Sequence, residues 1–137
     1  MELRDISRRV GIAAGVVTVL ALAAPYAVLS GGSYASQLAD YYASGVVGGA
    51  GIALFALLSV VVVASVERGN LDPGTLAGAA VVLGVATTLS AAAWATAIEP
   101  SPMFRDNLWL VWHARVVVAL SVLIPVAAAA YARELLA

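Results

Sequence analysis

A chain of 137 residues that is 63% hydrophobic and 11% charged, with a mean hydropathy of +0.99 and a net charge of −1, lies outside the range of a soluble globule. Seven cationic and eight acidic side chains cannot screen that much apolar surface from water, so lipid must be the solvent for most of it. The charge balance leaves no basic footprint for nucleic acid, and the absence of cysteine removes disulfides, thiolate metal sites, iron–sulfur clusters and thiol redox chemistry.

The N-terminal nine residues are polar and carry Arg4, Arg8 and Arg9. An apolar run over 10–29 follows. A charged start before an apolar stretch also fits a signal peptide, but about 20 residues match a helix crossing ~30 Å of hydrocarbon better than a signal core. The spacing therefore predicts an uncleaved first span. Pro25 lies near its far end, where a neighbouring helix can meet the carbonyl that proline leaves free. A turn-rich loop with Gly31-Gly32 leads to Tyr41 and Tyr42, and a second span is predicted over 42–66. Its first half is soft with glycine; its second half is large, apolar and partly β-branched. In lipid, the weak helix propensity of that half yields to the need to pair every backbone amide within the segment.

Glu67 to Gly74 is a short connector in which Asp72 and Pro73 read as the N-cap and first-turn proline of the next helix. The third span is predicted over 75–98, stopped by Glu99-Pro100-Ser101-Pro102, and the fourth over 108–132. The expected fold is all-α: a polytopic transmembrane four-helix bundle of two helical hairpins in one domain over 1–137. Arg4, Arg8, Arg9, Arg68 and Arg133 share one side, against Arg105 and Arg115 on the other, which predicts cytoplasmic termini in the plasma membrane. Most of the aromatics, Tyr26, Tyr41, Tyr42, Trp94, Trp109 and Trp112 among them, fall at the outer end, as interfacial rings do. A shift of 63 residues lays Gly11 and Gly15 on Gly74 and Gly78, and the second span on the fourth, the pattern of a parallel duplication.

Small residues four apart, Gly11/Gly15, Gly45/Gly49, Gly74/Gly78 and Ala80/Gly84/Thr88, mark helix-packing stripes where backbones approach closely. They point first to packing within one bundle and second to a homo-oligomer or a larger membrane complex. His113 is the sole histidine, and Arg115 is the one charge inside an apolar run. Their position at the head of the fourth span favours interfacial anchoring, with the Arg115 side chain snorkelling outward. With Glu99 and Asp40 they form a candidate polar cluster, the outer vestibule of a small channel or carrier. As a haem or quinone anchor, His113 would need a second ligand from another chain.

No ionisable group is expected at mid-membrane, where a proton-coupled pump needs one. No Walker loop, His-Glu-x-x-His or Gly-x-Ser-x-Gly is present. The lack of lysine rules out Schiff-base cofactors. No catalytic residue, cofactor or metal ligand is expected. The chain reads as a non-enzymatic structural or accessory subunit, or a self-associating bundle.

Tyr41-Tyr42-Ala43-Ser44-Gly45 opening the second span, Asp72-Pro73, Trp94, His113 and Tyr131-Ala132-Arg133 resemble small four-span membrane proteins of unknown function from salt-loving archaea. That resemblance implies a fold and a lineage, and no activity.

Overall fold

The computed structural model describes residues 2–28, 39, 41–43, 47–69, 71–98 and 109–136. Four helices account for nearly all of them: α1 (Leu3–Val28), α2 (Gly48–Val66), α3 (Pro73–Ala97) and α4 (Trp109–Leu136). All four are long and apolar enough to cross a membrane. Their length and composition are those of a multi-pass helical membrane protein.

Each helix packs on its neighbours in sequence, and α1 closes the ring against α4; α2 and α4 touch only lightly across the diagonal. Register follows from three pairs of contacts. Gly11 faces Ala127 and Ala21 faces His113, so α1 and α4 run in opposite directions. Gly15 faces Val60 while Arg4 meets Glu67, which sets α1 against α2 in the same way. Gly84 on Pro125 and Thr88 on Ser121 do so for α3 and α4.

The buried positions repeat with a 3.5-residue period on every helix. On α1 they include Ser7, Gly11, Ala14, Thr18, Leu22 and Pro25, with Gly15 beside them; on α2 they include Gly49, Ile52, Ala56, Ser59, Val63 and Val66, after Gly48. On α3 they include Ala77, Ala80, Gly84, Thr87, Ala91 and Trp94, and on α4 Leu110, Ala114, Val117, Ser121, Ile124, Ala128 and Tyr131. Such a repeat keeps one seam facing the partner along the whole helix and gives the shallow crossing of a left-handed bundle. The outward faces are at least as greasy: Val82 is 68% exposed, Leu89 65% and Leu20 62%. That is the inverse of a water-soluble bundle, and lipid is the medium that permits it.

Helix ends depart from the sequence expectation in two places. α1 begins at Leu3, seven residues before its apolar run, because Asp5 suits the first turn and Arg4 finds a carboxylate on the connector after α2. α2 begins at Gly48, not at 42. Gly48 has a φ of 74°, a conformation that a side chain strains, and Tyr41–Ala43 form a separate turn below it. The Tyr42 ring lies so close over Gly49 that a Cβ there would collide with it. The start of α3 is as expected: the Asp72 carboxylate accepts from the Thr75 amide at 2.9 Å and hydroxyl at 2.8 Å, and both hydrogen bonds hold that carboxyl below its usual range. Pro73 occupies the first helical turn.

Candidate functional site

Two prolines decide where the bundle spends its polar side chains. Proline has no amide hydrogen, so within a helix the carbonyl four residues earlier loses its partner. In an apolar medium such an orphan carbonyl is costly, and another group must supply a donor. Pro25 frees the carbonyl of Ala21, and Pro125 frees that of Ser121. Each is met by a side chain from the adjacent helix. His113 Nε2 on α4 lies 2.5 Å from the Ala21 oxygen, and the Thr88 hydroxyl on α3 donates to the Ser121 oxygen at 2.9 Å. The Tyr42 hydroxyl donates to the next carbonyl of α1, that of Leu22. The helix breaks are thus converted into ties between helices.

His113 is the centre of the outer tie. A carbonyl only accepts, so Nε2 carries the hydrogen. Nδ1 lies 2.6 Å from the Tyr41 hydroxyl, which also has the Leu110 carbonyl within 3.1 Å. With a neutral ring, the Tyr41 hydroxyl donates to Nδ1. With a protonated ring, Nδ1 donates to the Tyr41 oxygen and the tyrosine proton turns to Leu110. Either state keeps the Tyr41–His113 bond, and only the protonated ring frees the tyrosine proton for Leu110.

Around this node the rings interlock. Trp94, fully buried, donates its indole N–H to the Tyr41 carbonyl at 2.7 Å and packs edge-on against the Tyr41 ring at 5.0 Å. Its face stacks on Tyr42 at 5.8 Å, and Tyr42 in turn on Tyr26 at 5.2 Å. Trp109 stands edge-on to the imidazole at 6.0 Å. Tyr41 and Trp94 are therefore core residues, although position along the chain suggested interfacial rings.

Of the candidate polar cluster, His113 and Arg115 are described, and they face different ways. His113 points into the bundle, whereas Arg115, two residues on, is exposed and lays its guanidinium over the Trp112 ring at 4.9 Å. Residues two apart on a helix do not share a face. Asp40, Glu99 and Gly45 lie outside the described residues. Both imidazole nitrogens are taken up by protein atoms, so an axial bond to haem iron would require breaking one of these contacts. Among the described residues, no group of three histidine or acidic side chains is arranged to hold a metal ion.

The glycines divide by use. A Cβ on Gly15 would strike Val60, one on Gly49 the Tyr42 ring, and one on Gly84 the Pro125 backbone at 2.8 Å. Gly11 is looser, with the Ala127 Cβ at 3.5 Å. Gly74 is half-buried. Gly78 is exposed, and nothing in the chain lies within 4 Å of where its Cβ would be.

A second polar tie closes the opposite end. The Glu67 carboxylate accepts from the Tyr131 hydroxyl at 2.6 Å and from the Arg4 guanidinium at 3.1 Å, joining α2, α4 and α1. The Tyr131 bond, then the Arg4 bond and charge, hold its carboxyl below the ordinary value. A lowered carboxyl stabilises the fold at pH above its unfolded value, and that contribution disappears as pH falls through the folded one. Acidification below about pH 4 should therefore lower the melting midpoint by a small step, about 2 °C for so exposed a tie, and Glu67→Gln should remove the step. An unchanged acid limb in Glu67→Gln, read by thermal melts in detergent, would assign the step to other groups.

The sequence contained half of the signal for this arrangement. Each proline announces a carbonyl in need of a donor, but the donor lies 92 residues away for Ala21 and 33 for Ser121, distances over which spacing carries no information. No curated protein and no solved structure matches the chain. A family model matches residues 1–136, and the chain belongs to that family, the family of unknown function DUF7548.

Proposed function

We propose that this protein is a non-enzymatic component of the plasma membrane, with both termini on the cytoplasmic face, that works by associating with further copies of itself through the outer face of α3. The observation that carries the reading is Gly78. The other tightly fitted glycines are spent on contacts inside the bundle, whereas Gly78 stands open in a lipid-facing stripe with Val82, Val85 and Leu89. A small residue on an otherwise bulky lipid face gives a second helix room for close approach, the condition for packing where water supplies no drive. The proposed orientation draws on the arginine bias: Arg4, Arg8, Arg9, Arg68 and Arg133 fall on one side. A carrier lined jointly by His113 and Arg115 has less support, since the two side chains face different ways.

Gly78→Leu tests the reading. Cross-linking in vesicles should show association weakened about tenfold. The thermal midpoint of the single chain should not fall, since a Cβ at this position meets nothing within 4 Å and helix propensity favours leucine over glycine. An unchanged cross-linking pattern would leave α3 as an ordinary lipid-facing helix and sink the proposal.

A further inference from the structure

Beside the start of α2, α1, α2 and the Tyr41–Ala43 turn border a groove of about 500 Å³, walled by Val19, Leu22, Ala23 and Tyr26 on one side and Tyr42 and Ala53 on the other. Its helical walls belong to segments long and apolar enough to cross a membrane, which brings lipid chains within reach. None of the described lining residues is charged, and the Tyr42 hydroxyl is spent on the Leu22 carbonyl.

We propose that this groove is a binding site for one hydrocarbon chain of a bilayer phospholipid, drawn from the leaflet away from Glu67 and held against the Tyr42 ring. An uncharged wall complements an uncharged chain, and leaving such a volume empty would forfeit dispersion contacts along its whole lining. A helix of a second copy is the wrong size. It is 10–12 Å across, so a single 5.4 Å turn takes roughly 400–600 Å³ and would fill the groove with the rest of the helix unseated.

Trp94 is a built-in reporter, because it is fully buried and stacks on Tyr42 at 5.8 Å, one ring removed from the groove. The full chain carrying Trp109→Phe and Trp112→Phe keeps Trp94 as its one tryptophan. In vesicles of phosphatidylcholine with dibrominated chains, its emission should fall about twofold relative to plain vesicles, since a chain seated against Tyr42 brings bromine within one ring of the indole. Ala23→Phe added to that background fills the groove from an exposed position and should restore the emission. Ala50→Leu, also on an exposed lining position, should act in the same sense if Ala23→Phe does not fold. Equal emission in the two vesicles overturns the proposal, as does quenching that persists in the filled variants. A change of oligomeric state in the filled variants without a change in quenching would give the groove to a second copy, and would overturn it equally. Native mass spectrometry of the unaltered chain supplies a check free of substitutions: a retained phospholipid is expected, and bare protein under gentle detergent counts against the site.

Discussion

Gly84→Ala is expected to be the most damaging glycine-to-alanine change among the helix-interior glycines, lowering stability by about 1–3 kcal/mol. Its Cβ would sit 2.8 Å from both the Cα and the nitrogen of Pro125. Those are backbone atoms in a helix, so no rotamer change relieves the overlap; α3 and α4 must separate. Separation would stretch the Thr88 bond to the Ser121 carbonyl, the one group that satisfies what Pro125 leaves open. Intrinsic helix propensity acts the other way, favouring alanine over glycine by about 1 kcal/mol, so a net loss reports the clash. Gly11→Ala, with the Ala127 Cβ at an ordinary 3.5 Å, meets no such clash and should gain up to about 1 kcal/mol from that propensity, which makes it the comparison. Reversible unfolding in mixed detergent micelles reads both. Equal stabilities for the two variants would mean that the α3–α4 contact yields easily, and the close approach would lose its structural weight.

His113→Ala should cost more, about 2–4 kcal/mol, because it opens a cavity and strands the Ala21 carbonyl. The Ala21 carbonyl loses its donor, and the Tyr41 hydroxyl loses the nearer of its two acceptors. The stronger test is a double-mutant cycle with Pro25→Ala. Alanine restores an amide at position 25, and that amide can bond the Ala21 carbonyl within α1. His113→Ala should then cost about 1–2 kcal/mol less in the Pro25→Ala background than in the parent chain. Strict additivity would show that the imidazole is not the substitute donor, whatever its distance from the carbonyl. The cycle also separates this structural role from any role of His113 toward a ligand, which restoring an amide in α1 would not rescue.

Both variants bear on how much could be read beforehand. The four spans were plain from run length and hydropathy, and the helix start at Asp72-Pro73 from its capping chemistry, because these are local properties that survive folding unchanged. Pro25 was recognised as leaving a carbonyl for a neighbour to meet, but the neighbour was not identifiable. His113 looked like an interfacial residue because it follows Trp112 near a span end. Its direction is set by rotation about the helix axis, and 100° per residue turns it inward while Arg115 faces out. Tyr41 and Trp94 were likewise read as interfacial rings, and the bundle turns both inward. Depth comes from position along the chain; facing does not.

The amino-acid sequence alone marks four helices long and apolar enough to cross a membrane, and it carries no thiol or lysine chemistry. Which side of each helix meets its neighbours was decided only in the folded bundle. The physical reason is that a membrane removes the contrast that marks a core in water: Leu20, Val61, Val82 and Leu89 are as apolar as anything inside, yet they face outward. The seam is marked instead by size and hydrogen bonding. Gly15, Gly84, Thr18, Thr87 and Ser121 turn inward, because there they permit close backbone contact and satisfy polar groups that lipid cannot.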